Sequence, residues 1–525
     1  MKTKRTILAI LLVAALMLAL FAACSKSGDN TPSNSGSQPS NSGEPTKPST
    51  QEPDDDEEQA ELTFWYMFSS NNTEAWEKVE AKLNEITERE INTHVTLRVS
   101  EVGTYTSAAG MALSSGEPID VFVRGFGPLG FGALYASHQI LDLQPYMEQY
   151  GKGLEEVLGE LLDCFRMDGG LWSIPPYRVM NSTAYLGMRK DILEEMGMLE
   201  FVENMTSWKE FEQFMDKFID RYGDQGMYPI TLAAIAADGV AFGSDAFEDS
   251  LIYDFCGDTT RSICGKEDGT IEALQWNVDQ IRQYERFKDW FDRGYVWPDS
   301  PYSEVMASDT IKQGVTFCEI LASEMGVETT KKAWTGYDYY AKPIANIRLG
   351  TDHVNKFGLA VSVNTECPEA CVKFMNLMYT DQDVMNLLIF GVEGEHWAMQ
   401  ADGMADYPTP GDASSCAYHG DEFFFGNQFL LVPWAGQGAD FRETSLKYFQ
   451  SASPSRYMGF LLDTTDLSNT IAAISSVNDQ YSKAINTGLY TPELLAEYQA
   501  KLKDAGIDEY VEAIRAQVAA WEGSR

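Results

Sequence analysis

Basic residues are scarce in this chain. Lys and Arg total 39 against 79 Asp and Glu, so the formal net charge of the 525 residues is −40. Nucleic acid is held by clustered cations that displace counterions from phosphate, and an anionic membrane surface is held by a basic patch. The charge balance argues against both partners and leaves neutral ligands open. Histidine is also sparse: His94, His138, His353, His396 and His419 are scattered. GxSxG, HExxH and P-loop motifs are missing, so no enzyme activity is expected. Carboxylate pairs for glycoside hydrolysis occur by chance among so many acids, and no segment singles one out. The eight cysteines include no CxxC pair and no Cys/His cluster, so no metal and no cofactor are expected. Cys256 and Cys264 could bridge, and Cys367 and Cys371 lie four apart at the start of a predicted helix. Gly125–Gly130 fits G-x-G-x-x-G after a strand, but a dinucleotide site needs a helix opening there and an acid at the end of the next strand. It reads as a flexible loop.

Long apolar runs are missing everywhere except at the N-terminus, so no further spanning helix is expected. Lys2, Lys4 and Arg5 precede the apolar stretch 7–22, which then meets Phe21-Ala22-Ala23-Cys24. A basic start and a short apolar run read as an export signal over 1–23. The junction resembles a bacterial lipobox, which implies cleavage before Cys24 and lipidation of that cysteine. Residues 24–60 are rich in Ser, Gly, Asn and Pro and end in a run of acids. They read as an extended tether between a membrane and the body.

With 44 % hydrophobic residues the remaining chain can bury a large core. Leu62–Met67, His94–Val99 and Ile119–Arg124 read as strands, separated by helices capped at Asn72 or Thr73 and ended by Gly116. This is β-α-β-α-β, which implies parallel pairing with ligands beyond the carboxyl ends of the strands. Helical spacing covers Ser207–Tyr222, Ile271–Gly294 and Pro368–Phe390, and Lys356–Val363 reads as a strand. Near the C-terminus, Thr491-Pro492-Glu493 starts one helix, Gly506 ends it and Asp508 caps the last.

Several segments, in order, resemble the family 1 extracellular solute-binding proteins of ABC transporters, in particular the LipO-like lipoproteins of Gram-positive bacteria. They are ILDLQPY at 140–146, DGGLWSIP at 168–175, RKDILEEMG at 189–197, TSWKEF at 206–211 and GVEGEHW at 391–397. The resemblance continues through 456–460 and 494–521. It implies an α/β fold of the type II periplasmic-binding-protein class, two lobes with a hinge and an inter-lobe cleft. The implied lobes are 61–175 with 344–400, and 176–343 with 401–450, followed by a helical subdomain over 451–525. It also implies a monomeric, lipid-anchored receptor on the outer face of the cytoplasmic membrane. Such a receptor captures a mono- or oligosaccharide and delivers it to ABC permease subunits served by a separate ATPase. A peptide or other small solute is the alternative ligand, and a surface polysaccharide-active enzyme the remoter one.

Sugars present flat C–H faces and many hydroxyls, so aromatic and polar side chains at strand ends and crossings are the candidates. Trp65 and Tyr66 end the first strand. Arg124 and Phe126 follow the third. Tyr177 and Arg178 follow Pro175-Pro176 at the first crossing between lobes. Trp334 and Tyr337 precede the second crossing, Glu395 and Trp397 close GVEGEHW, and Trp434 follows Pro433 in a polar loop.

Overall fold

The computed structural model describes residues 58–68, 72–232, 239–247 and 249–524. The export signal, Cys24 and most of the tether lie outside the described residues. Strand β1 (Ala60–Phe68) leads into α1 (Thr73–Ile91), then β2 (Thr93–Glu101), α2 (Val102–Ser115) and β3 (Val121–Arg124). Asn72 caps α1 by accepting from the Ala75 amide, and Gly116 ends α2 in the left-handed region. The second lobe supplies β4 (Ser182–Arg189), α3 (Trp208–Tyr222), β5 (Tyr228–Ile230), α4 (Val278–Asp292), β6 (Thr316–Ser323), α5 (Val327–Thr335) and β7 (Tyr339–Ile347). The chain then returns as β8 (Gly358–Val361), followed by α6 (Pro368–Thr380), α7 (Gln382–Phe390), α8 (Phe441–Gln450), α9 (Ser468–Ala484), α10 (Pro492–Asp504) and α11 (Ile507–Ser524).

Two four-stranded sheets result. The first has the order β8-β3-β1-β2, with β1 parallel to both neighbours and β8 antiparallel to β3. The second has the order β7-β4-β6-β5, with β5 and β6 parallel and β4 antiparallel to both β6 and β7. Each sheet has its own hydrophobic core, and a third core joins residues 256–284 to the C-terminal helices through Tyr284, Tyr457, Tyr498 and Tyr510. The expected division of the chain changes in two segments. Tyr418, Phe424, Phe425, Leu431 and Phe449, from the stretch 401–450, are buried in the first core rather than the second. Phe425 packs on Phe64 and Tyr66 and the Tyr418 hydroxyl meets that of Tyr66, beside Phe374 of α6 on the same Phe64 ring. Residues 344–347 belong to β7 and so to the second sheet.

Two long helical runs are interrupted. Ile271–Ala273 pairs with Ile263–Gly265 as a hairpin, and Asn277 caps α4 by accepting from the amides of residues 279 and 280. Asp381 breaks 368–390 into α6 and α7 because its carboxylate accepts from the amides of Asp383 and Val384. Asp508 lies in the first turn of α11 rather than at its cap. Cys256 and Cys264 are both buried free thiols and do not bridge.

Candidate functional site

The chain passes between the sheets at residues 174–181, at 348–357 and through α8. Arg124 ties the first two passages together. Its side chain donates to Ser173 Oγ at 2.5 Å and to both the carbonyl and Oδ1 of Asn355 at 2.9 Å, with Phe165 4.3 Å beneath the guanidinium. It is fully buried, and burial lowers its pKa to about 9. Its partners are neutral acceptors and not a carboxylate.

One residue further, the chain turns outward. Phe126 is 60 % exposed, and its ring stands 5.0 Å from Phe357. Phe357 lies edge-on to Phe423 at 5.4 Å and to Phe424 at 4.9 Å. Arg178 sets its guanidinium 3.7 Å from the centre of the Phe423 ring. The same guanidinium donates to Val179 O at 2.6 Å and to Glu324 at 2.7 Å, just past the end of β6. Burial pulls the Arg178 pKa down while Glu324 opposes the shift. A row of aromatic faces therefore runs from the end of β3 to a charged pair that reaches the second sheet. Tyr177 turns the other way, onto Phe429 and Phe449.

Buried polar atoms gather at the same passages. Arg178 Nε, Asn181 Oδ1, Arg442 Nε and Nη2, and Ser445 Oγ have no protein hydrogen-bond partner among the described residues. A dry, unpaired polar atom costs about 1–3 kcal/mol, so such groups are suited to hydroxyl-bearing ligands or water. Two cavities adjoin, of about 300 Å³ and about 90 Å³, sharing a wall of Tyr253, Phe255 and Arg261. The larger adds Gln280, Gln283 and Asn478, and the smaller adds Asp352, His353 and Lys356. Burial, with Asp254 nearby, raises the Asp352 pKa to about 6.

The other candidates lie elsewhere. Trp65 is a core residue, 1 % exposed. Its Nε1 donates to Ser100 Oγ, with Tyr105 on one side and Arg98 stacked at 3.4 Å. Tyr66 is buried with its hydroxyl on Tyr418. Both follow from the central place of β1, which is covered on both faces. Trp397 is buried and donates to Gly391 O. Trp434 joins Phe390, Tyr407 and His419 in a separate cluster. Glu395 pairs with Lys78 at the surface. Tyr337 carries Arg189 on its ring, and exposed Trp334 stands near Lys331 on α5. Phe357, Phe423, Phe424, Tyr253 and Phe255 were not singled out by the sequence reading. Lys356-Phe357 at the mouth of a strand and the triplet Phe423-Phe424-Phe425 were the available signals.

Comparison with known proteins agrees with this architecture. Residues 456–523 match a domain family described only as of unknown function, DUF3502. A "carbohydrate ABC transporter substrate-binding protein" of Streptococcus pneumoniae serotype 4 is 22 % identical over 445 residues, 82 % of this chain and 85 % of its own length. The N-glycan transport solute binding protein NgtS of Streptococcus pneumoniae superimposes with a TM-score of 0.69 at 19 % identity, covering 87 % of this chain and 98 % of that one. An HMO-binding, ABC-transporter-associated solute binding protein of Bifidobacterium longum infantis gives 0.60 at 14 % identity over 88 % and 99 %. The chain thus has the two-lobed type II solute-binding-protein fold expected from its sequence, and the carbohydrate-transporter resemblance extends to these relatives.

Proposed function

We propose that this chain is the extracellular substrate-binding receptor of a carbohydrate ABC importer. It takes a neutral oligosaccharide against the row Phe126, Phe357 and Phe423, with Arg178 and Glu324 pairing to hydroxyls. The observation that carries the reading is this row, which begins at the carboxyl end of β3 and ends on a charge pair shared with the second sheet. Aromatic faces suit the C–H faces of pyranose rings, and the unpaired buried polar atoms suit their hydroxyls. Relatives named for carbohydrate transport, and one solved with Man5GlcNAc bound, favour the same class. The net charge of −40 disfavours an acidic glycan.

In this reading Cys24 carries the lipid that holds a monomeric receptor outside the membrane, with residues 25–60 as tether. Permease subunits and a separate ATPase complete the importer. Ligand binding draws the lobes together about the three passages, and the permease reads that state.

The test is calorimetric titration of the protein with neutral mono- and oligosaccharides, followed by analysis of the recovered sugar. Saturable binding with the sugar returned intact is expected. Consumption of the glycan, or binding confined to peptides, overturns the reading.

A further inference from the structure

At the end of the first sheet opposite Phe126, three potential metal ligands meet. Asp120 immediately precedes β3, and Cys367 and Cys371 stand at the start of α6. One ligand atom from each lies within 4.8 Å of the others, the one such group found among the described residues. We propose that Asp120, Cys367 and Cys371 bind a thiophilic divalent cation of the zinc type. The inference is independent of the sugar-binding reading.

The geometry is organised around Thr365. Its hydroxyl donates to Asp120 Oδ1 at 2.6 Å and lies 3.7 Å from Cys367 Sγ and 3.5 Å from Cys371 Sγ. The other carboxylate oxygen, Oδ2, accepts from the Thr63 amide at 2.8 Å, which fixes the carboxylate plane. Cys367 is the N-cap of a 13-residue helix, where the dipole favours a thiolate. Cys371 is fully buried. Two thiolates and one carboxylate form a borderline-soft donor set suited to zinc rather than to magnesium or calcium. Binding of the dication releases the two thiol protons, and three protein ligands leave a fourth position for water or the Thr365 hydroxyl. Cys367 Sγ also donates to Glu61 O at 3.3 Å. Once deprotonated, Cys367 no longer donates to Glu61 O, but Asp120 still accepts from the Thr63 amide, so a bound cation would tie β1 to the starts of β3 and α6.

The experiment titrates cobalt(II) and cadmium(II) into the reduced, metal-free full-length chain and follows thiolate-to-metal charge-transfer absorption. One equivalent is expected to bind with two thiolates, and zinc(II) is expected to displace the cobalt and raise the melting temperature. Cys367→Ser with Cys371→Ser abolishes the band. Cys416→Ser, a thiol distant in sequence from the cluster, leaves it unchanged. Asp120→Asn retains the band with affinity about tenfold or more weaker. Because Asp120 also holds Thr63 and Thr365, circular dichroism of each variant separates loss of ligation from loss of fold. A missing band in folded wild-type protein overturns the proposal. So does a band that survives in the double-serine variant, or a Cys367–Cys371 disulfide that resists reduction.

Discussion

The guanidinium of Arg178 donates to Glu324 at 2.7 Å, although one residue sits on the first passage between lobes and the other past the end of β6. Arg178 is almost wholly buried, whereas the Glu324 side chain is 40 % exposed. Removing the carboxylate leaves a buried cation with Val179 O, the Phe423 ring and the more distant charge of Asp421. Solvent around the partly exposed Glu324 relieves part of that penalty. Glu324→Gln is expected to cost about 1–2 kcal/mol of stability, read by urea denaturation. Arg178→Lys is expected to lose the planar stack on Phe423 and weaken sugar binding by about tenfold, read by titration calorimetry.

Asp352 gives a prediction of pH dependence. Its folded pKa is raised from 3.8 to about 6, first by burial and then by Asp254, while Arg261 and Lys356 oppose the shift. Asp254 is raised in the same direction by burial. Between about pH 4 and pH 6 the folded chain thus holds more protons than the unfolded chain at Asp352. Its contribution is full below about pH 4 and is lost as pH rises through about 6. For Asp352 the change corresponds to about 3 kcal/mol. Asp352→Asn is expected to flatten the fall in melting temperature between pH 4 and pH 7. An unchanged profile in that variant would count against the assignment.

The alternation of apolar strands with capped helices made the first sheet legible, because local periodicity and caps decide such elements. The boundaries that failed were decided by side chains acting on the backbone, as Asp381 and Asn277 do. Of the proposed row, the sequence offered Phe126, just past β3, and Arg178, on the first passage. The sequence places Trp65 and Tyr66 at the end of the first strand, yet β1 runs on to Phe68 and is covered by Tyr105 on one face and Phe425 on the other. Phe423 and Asp120 were not legible because their partners lie far away in sequence, Phe423 from Phe357 and Asp120 from Cys367.

Gly358 tests the passage itself. Its φ is 154°, and a Cβ there would meet Ile174 O at 2.4 Å and Arg124 Nη2 at 3.0 Å. Ile174 and Leu359 exchange amide-to-carbonyl bonds of 2.9 and 2.8 Å across this point. Gly358→Ala forces that pair apart and displaces Arg124, with an expected cost of about 1–3 kcal/mol. Hydrogen exchange at the amides of residues 174 and 359 should accelerate more than exchange in β4. Uniform acceleration throughout the chain would show that the passage is not the weak point.

Phe126 and Trp65 separate a binding role from a packing role. Trp65 lies within β1 and Phe126 just past the end of the neighbouring β3, and Phe126 is 60 % exposed where Trp65 is 1 %. Truncating an exposed ring removes little core contact, so Phe126→Ala should change stability by less than about 0.5 kcal/mol. If the ring stacks on a sugar, the same change should weaken binding by about five- to thirtyfold, the equivalent of about 1–2 kcal/mol. Phe357→Ala should add to this less than independently, because its ring contacts Phe126 at 5.0 Å and supports it. Trp65→Ala empties a filled core site and should cost about 3–5 kcal/mol of stability, while the residual folded fraction keeps its affinity. Denaturation and titration calorimetry on the same three variants read both quantities. Equal affinity loss in Phe126→Ala and Trp65→Ala would mean that the ligand contacts neither ring directly, and the row from β3 to Arg178 would lose its place as the binding surface.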